Sequence, residues 1–157
     1  MKPRLFALCL ISLGLSGGLF GEARAQTPVD GWVEIDITTQ LVTPLPSGGG
    51  VSCSGSISAI DPGSAGTPGL ANSETAIATA TVSGSVATCK LSLPYQWLIV
   101  GAIGGVGGAT MIVDYTVEMF SGTVSTSTLL RYGTHSLPSI LIPNEGVSHL
   151  FTANTKL

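Results

Sequence analysis

Residues 51–60 read Val-Ser-Cys-Ser-Gly-Ser-Ile-Ser-Ala-Ile, with serine at 52, 54, 56 and 58 and only apolar or small residues between them. A period of two sends successive side chains to opposite faces of an extended chain, so this stretch suits a half-buried strand and cannot make the apolar stripe of a helix. Cys53 falls on the apolar face. The same period recurs along the chain. Val33, Ile35 and Ile37 alternate with Glu34, Asp36 and Thr38, and Ala76, Ala78, Ala80 and Val82 alternate with Ile77, Thr79, Thr81 and Ser83. After a turn at Ser83-Gly84-Ser85, Ala87, Cys89, Leu91 and Leu93 share a face. Over 109–120, Met111, Val113, Tyr115, Val117 and Met119 point one way, while Asp114, Thr116 and Glu118 point the other. Less regular strands are expected over 123–132, 140–142 and 147–153, and Pro94 is expected to break its ladder or mark a sheet edge.

Clusters rich in Gly, Pro, Ser and Asn at 44–50, 61–69 and 143–146 separate these runs and read as turns. No stretch combines helical period with capping residues. The pattern predicts an all-β chain of about seven or eight strands folded as an antiparallel sandwich, with a closed barrel as the second choice. The sandwich is immunoglobulin-like only in the broad architectural sense. A true immunoglobulin domain carries its core tryptophan between the two cysteines, whereas Trp97 follows the second cysteine here.

The N-terminus bears on compartment. Lys2 and Arg4 precede an apolar run from Leu5 to Phe20, and Ala23-Arg24-Ala25 supplies small residues for signal peptidase, so cleavage is expected after Ala25. The apolar run is short for a membrane span and is interrupted by Gly14, Gly17 and Gly18. Residues 1–25 are therefore read as a cleaved secretory signal and residues 26–157 as one domain, destined for the periplasm or the extracellular space. The lack of Asn-x-Ser/Thr acceptor sites points to bacterial export.

Export changes the charge balance. Beyond residue 25, three basic residues (Lys90, Arg131 and Lys156) stand against eight acidic ones, a formal net charge of −5. So few cations cannot neutralise a phosphate backbone, which argues against nucleic-acid partners. Export also leaves two cysteines, Cys53 and Cys89, an even pair in an oxidising compartment. Both lie on core faces of separate strands, so they are expected to form a structural disulfide. Their spacing is not that of a redox-active Cys-x-x-Cys.

Chemistry is sparse. Gly105-Val106-Gly107 lacks the third glycine and the following helix of a dinucleotide fingerprint. The Gly-x-Ser-x-Gly turn of serine hydrolases is absent. His135 and His149 carry no flanking motif and read as surface or loop residues. With Met111 and Met119 they could be imagined as copper ligands, but the methionines fit the core face. The carboxylate pairs Glu34/Asp36 and Asp114/Glu118 read as the wet sides of sheets. The run 98–109 reads as a buried strand ending in a Gly-rich hairpin, in preference to a membrane- or partner-inserting segment. No catalytic, cofactor-binding or metal-binding set is assigned.

These readings predict a secreted, non-enzymatic structural, adhesive or protein-interaction module that pairs with a protein partner or with itself. The alternative is a small-ligand-binding barrel or sandwich with Trp32, Tyr95, Trp97 and Tyr132 around a pocket, the same four residues that would serve partner contacts.

Overall fold

A computed structural model describes residues 26–60, 70–100, 109–122, 128–142 and 147–157. The expected signal segment and three of the expected loop or hairpin segments, at 61–69, 101–108 and 143–146, lie outside the described residues, as do 123–127. Eight strands are present among the described residues: β1 (Gln26–Gln40), β2 (Gly50–Ile60), β3 (Leu70–Thr79), β4 (Thr81–Ser83), β5 (Val86–Val100), β6 (Thr110–Ser121), β7 (Thr128–Leu141) and β8 (Val147–Lys156). They form two four-stranded sheets, ordered β4-β5-β1-β8 and β3-β2-β6-β7, which pack face to face. The second choice, a closed barrel, is overturned, because each sheet keeps two separate edges. No helix occurs among the described residues.

The alternation sets the layers. Val33, Ile35 and Ile37 of β1 and Leu91, Leu93, Tyr95 and Trp97 of β5 point inward from the first sheet. They meet Val51, Cys53, Ile57 and Ala59 of β2 and the five inward residues of β6. Gly55 shows how closely the layers approach, because a Cβ built there would lie 2.8 Å from Leu91 Cδ1 and 3.4 Å from Ile35 Cδ1. Glycine at this position makes room for Leu91 of the facing sheet. The Cys53–Cys89 disulfide forms, joining β2 to β5 and therefore one sheet to the other, with Cα atoms 6.3 Å apart.

The strand expectations need three corrections. The run expected as one strand through Ala80 is divided, since Ala80 lies between β3 in one sheet and β4 in the other and donates its N–H to the Val51 carbonyl at 2.8 Å. Small side chains let the chain turn this corner. Residues 128–132 and 140–141, expected in two separate strands, are joined in a single β7 that runs through Pro138. This is tolerated because Pro138 falls where the β6–β7 register shifts, so its missing N–H costs no ladder bond. Of the two expectations for Pro94 the edge holds, and β5 runs through it. The β1–β5 register continues through Trp32 opposite Pro94, and on the other side β4 reaches only to Thr88, so Pro94 lies along an edge as its chemistry requires.

The last correction concerns direction, because the all-antiparallel expectation fails at β8, which pairs parallel to β1 from Gly31 opposite Val147 to Gln40 opposite Lys156. A hairpin forces antiparallel pairing, but β8 reaches β1 from the other layer after β7, and that route leaves the parallel arrangement open. Between β4 and β5, Gly84 has φ +60° and no other residue type in the described chain takes a positive φ, which fits a two-residue type II′ hairpin.

Candidate functional site

The four aromatic residues expected to make contacts are not brought together. Tyr95 and Trp97 point into the core, each only 3% exposed, with ring centroids 4.8 Å apart. Among the described residues, the Tyr95 hydroxyl and Trp97 Nε1 have no hydrogen-bond partner. Burial, reinforced by the charge of Asp30, raises the Tyr95 phenol above its ordinary value of 10.0. Trp32 is exposed on the outer face of the first sheet, between Pro94 and Ser148 in the register, with exposed Leu150 one row further along β8. Tyr132 is 67% exposed on the outer face of the second sheet, opposite Glu118.

The carboxylates of β1 have a local partner. Lys90 Nζ lies 3.2 Å from Glu34 and 3.9 Å from Asp36, and the hydrogen bond to Glu34 and both carboxylate charges raise the ammonium above its ordinary 10.5. Lys90 is largely exposed and both carboxylates partly so, and the cluster belongs to the wet face.

His135, expected on a loop or the surface, instead sits half-buried in β7, stacked on Tyr115 at a centroid distance of 5.0 Å. Its Nε2 is 2.8 Å from Thr155 Oγ1 on β8, and Thr155 also hydrogen-bonds to Tyr115. Three residues from β6, β7 and β8 thus tie the two sheets together along their β7/β8 side. Periodicity along one strand carries no signal of this contact, because it depends on which edges of the two layers face each other. Gly133 contributes room, since a Cβ there would meet His135 Nε2 at 3.1 Å. Met111 and Met119 are enclosed in the core, as their positions on β6 suggested. No group of three or more His, Cys, Asp or Glu able to hold a metal ion occurs among the described residues.

The outer face of the second sheet has a distinct relief. Ser54 and Ser56 of β2 form a floor, with Thr75 and Ile77 of β3 on one side and Asp114 and Thr116 of β6 on the other. The result is an open depression of about 590 Å³ that extends to Thr134 and Ser136 of β7. Thr116 and Thr134 hydroxyls are 3.0 Å apart across β6 and β7. A second exposed feature is β7 itself, an edge strand of 14 residues carrying exposed Leu129, Leu130, Tyr132 and Leu141. No family model, curated protein or solved structure matches this chain.

Proposed function

We propose that residues 26–157 form an exported, broadly immunoglobulin-like β-sandwich that works through its surface, as a non-enzymatic structural, adhesive or protein-interaction module at a cell surface or in the periplasm. The observation that carries this reading is β7, whose row of exposed leucines and Tyr132 lies on a long sheet edge. Such an edge presents backbone donors and acceptors to another chain, and soluble proteins ordinarily blunt it with charge. Here Arg131 is its only charged residue.

The strand order supports the finer fold. Sheets of β4-β5-β1-β8 and β3-β2-β6-β7 correspond to the D-E-B-A and C′-C-F-G layers of an immunoglobulin sandwich, with β8 taking the place of the first strand. The disulfide departs from that family, linking the equivalents of strands C and E and not B and F. A disulfide is consistent with an oxidising extracellular or periplasmic location, and cleavage after Ala25 completes the export reading. Among the described residues no helix is long and apolar enough to cross a membrane. A ligand pocket built on Trp32, Tyr95, Trp97 and Tyr132 is the weaker reading, because their side chains point to the core and to two opposite surfaces.

Light scattering on the exported, oxidised chain over a wide concentration range tests the proposal. Concentration-dependent association is expected, and Tyr132→Lys together with Leu130→Lys should weaken it by about tenfold or more. A strict monomer at high concentration that also captures no partner in cross-linking at its native cell envelope would overturn it.

A further inference from the structure

The serine floor of β2 is a pattern that neither folding nor edge pairing requires. A wet strand face tolerates Thr, Lys, Glu or Gln equally well, and threonine has the higher strand propensity. Ser54 and Ser56, flanked by Ile77 and Thr75 on β3 and by Thr116 and Asp114 on β6, floor a trough that crosses the strands to Thr134 and Ser136 of β7. Strand spacing makes it about 14 Å long from β3 to β7, and two outward residues on each strand make it about 7 Å wide. The serines are half-buried by their neighbours, while Thr75 and Ile77 stand exposed as a wall. Its volume is in the range of small-molecule sites, about 300–1,000 Å³.

From this geometry we infer that the trough binds a linear, neutral oligosaccharide, with Ser54, Ser56 and Thr116 exchanging hydrogen bonds with sugar hydroxyls and Asp114 accepting from them. The inference rests on the reading of the chain as a module that acts through its surface. Four observations select this ligand. The trough is elongated and open, which suits a chain-like ligand lying along it. Its polar groups are mostly hydroxyls, which both donate and accept, as the groups of a sugar do. The outward rows of β2, β3, β6 and β7 hold Asp114 and Glu118 but no Lys, Arg or His among the described residues, so an anionic polymer is repelled. The apolar wall at Ile77 on β3 and the exposed ring of Tyr132 on β7, in the row next to Thr134, offer surfaces for the C–H faces of sugar rings. The bond between Thr116 and Thr134 holds two of the hydroxyls in place before any ligand arrives.

The test is calorimetry and saturation-transfer NMR on the exported, oxidised chain with cellotetraose and chitotetraose. Tetragalacturonate, a Ser/Gly peptide and tetralysine serve as comparison probes. Binding of a neutral oligosaccharide is expected, with saturation transfer from Ile77 and Tyr132. Ser56→Phe, which fills the floor, and Asp114→Asn, which removes the charged acceptor and keeps its shape, should each weaken it about tenfold. Asp114→Asn is the control against misfolding, because it alters an outward group without adding bulk. No binding of either oligosaccharide, preferential binding of the peptide, tetralysine or tetragalacturonate, or oligosaccharide binding indifferent to both substitutions would overturn the inference. Association through β7 in light scattering would survive that failure, so the two ideas fall separately.

Discussion

At the residue scale, the direction of each side chain follows from parity along its strand, and this is legible for β1, β2 and β6 and for β5 as far as Leu93, whereas Tyr95 and Trp97, expected around a pocket, continue the inward row. The period of two puts Cys53 and Cys89 on inward faces, and they meet there. What parity cannot reveal is the partner across the layer. Gly55 reads as a mere interruption of an apolar row until Leu91 is seen filling its space. Tyr95 is a similar case with a measurable consequence. Its parity says inward, and burial then raises the phenol above 10.0. A raised native value means that the folded state holds this proton more tightly than the unfolded chain does. The resulting stability is complete below about pH 10 and is lost as pH rises through the native value, at about 1.4 kcal/mol for each pH unit in that window. Tyr95→Phe removes the titrating group along with a hydroxyl that has no partner among the described residues. The variant should match the parent within about 1 kcal/mol at neutral pH and exceed it in alkaline denaturant titrations. Equal alkaline losses in the two proteins would show that Tyr95 does not govern this limb.

At the element scale, strand existence was legible and strand boundaries were not, for reasons visible in particular residues. The irregular stretch between the expected strands 123–132 and 140–142 holds Pro138, which β7 absorbs at a register shift. Ala80 continued the alternation, but the chain changes sheets there. The direction of β8 had no local signal at all, since parallel pairing with β1 follows from its arrival out of the other layer. The site was legible to a similar degree: the serine row stood out in the sequence, but its walls came from strands whose neighbours were unknown. The tie between β7 and β8 was hidden for the same reason, and it makes the C-terminal strand dependent on His135, Tyr115 and Thr155. Thr155→Val keeps the β-branched shape and deletes the hydroxyl that both partners use. It should cost about 1–2 kcal/mol, since it leaves polar groups of the two partners unsatisfied. Hydrogen exchange localises the effect: amides of β8 should exchange faster while those on the β1–β5 ladder keep their protection. Uniform acceleration across both sheets, or none in β8, would remove the clasp role from this contact.

At the scale of the whole molecule, the two sheets are separate hydrogen-bonded units, and no backbone ladder crosses between them among the described residues. Their association depends on apolar packing, on the His135–Thr155 bond near one side and on the Cys53–Cys89 bridge between β2 and β5. The bridge acts mainly on the unfolded chain. It closes a loop with a sequence separation of 36 residues, and the associated loss of chain entropy corresponds to about 4 kcal/mol. That is a large fraction of the roughly 5–15 kcal/mol that stabilises a typical domain. The double substitution Cys53→Ala and Cys89→Ala should therefore lower the unfolding free energy by about 4 kcal/mol, measured by denaturant titration. Because the effect lies in the unfolded ensemble, the native strand pattern should persist in circular dichroism at low temperature, and unfolding should begin at lower denaturant with a larger dependence on its concentration. A loss well below about 1 kcal/mol would show that apolar packing alone holds the layers together. A variant with no native strand signal would show that the bridge is needed to bring them into register. The two results bear on export as well, since a fold that needs its bridge can mature only where thiols are oxidised.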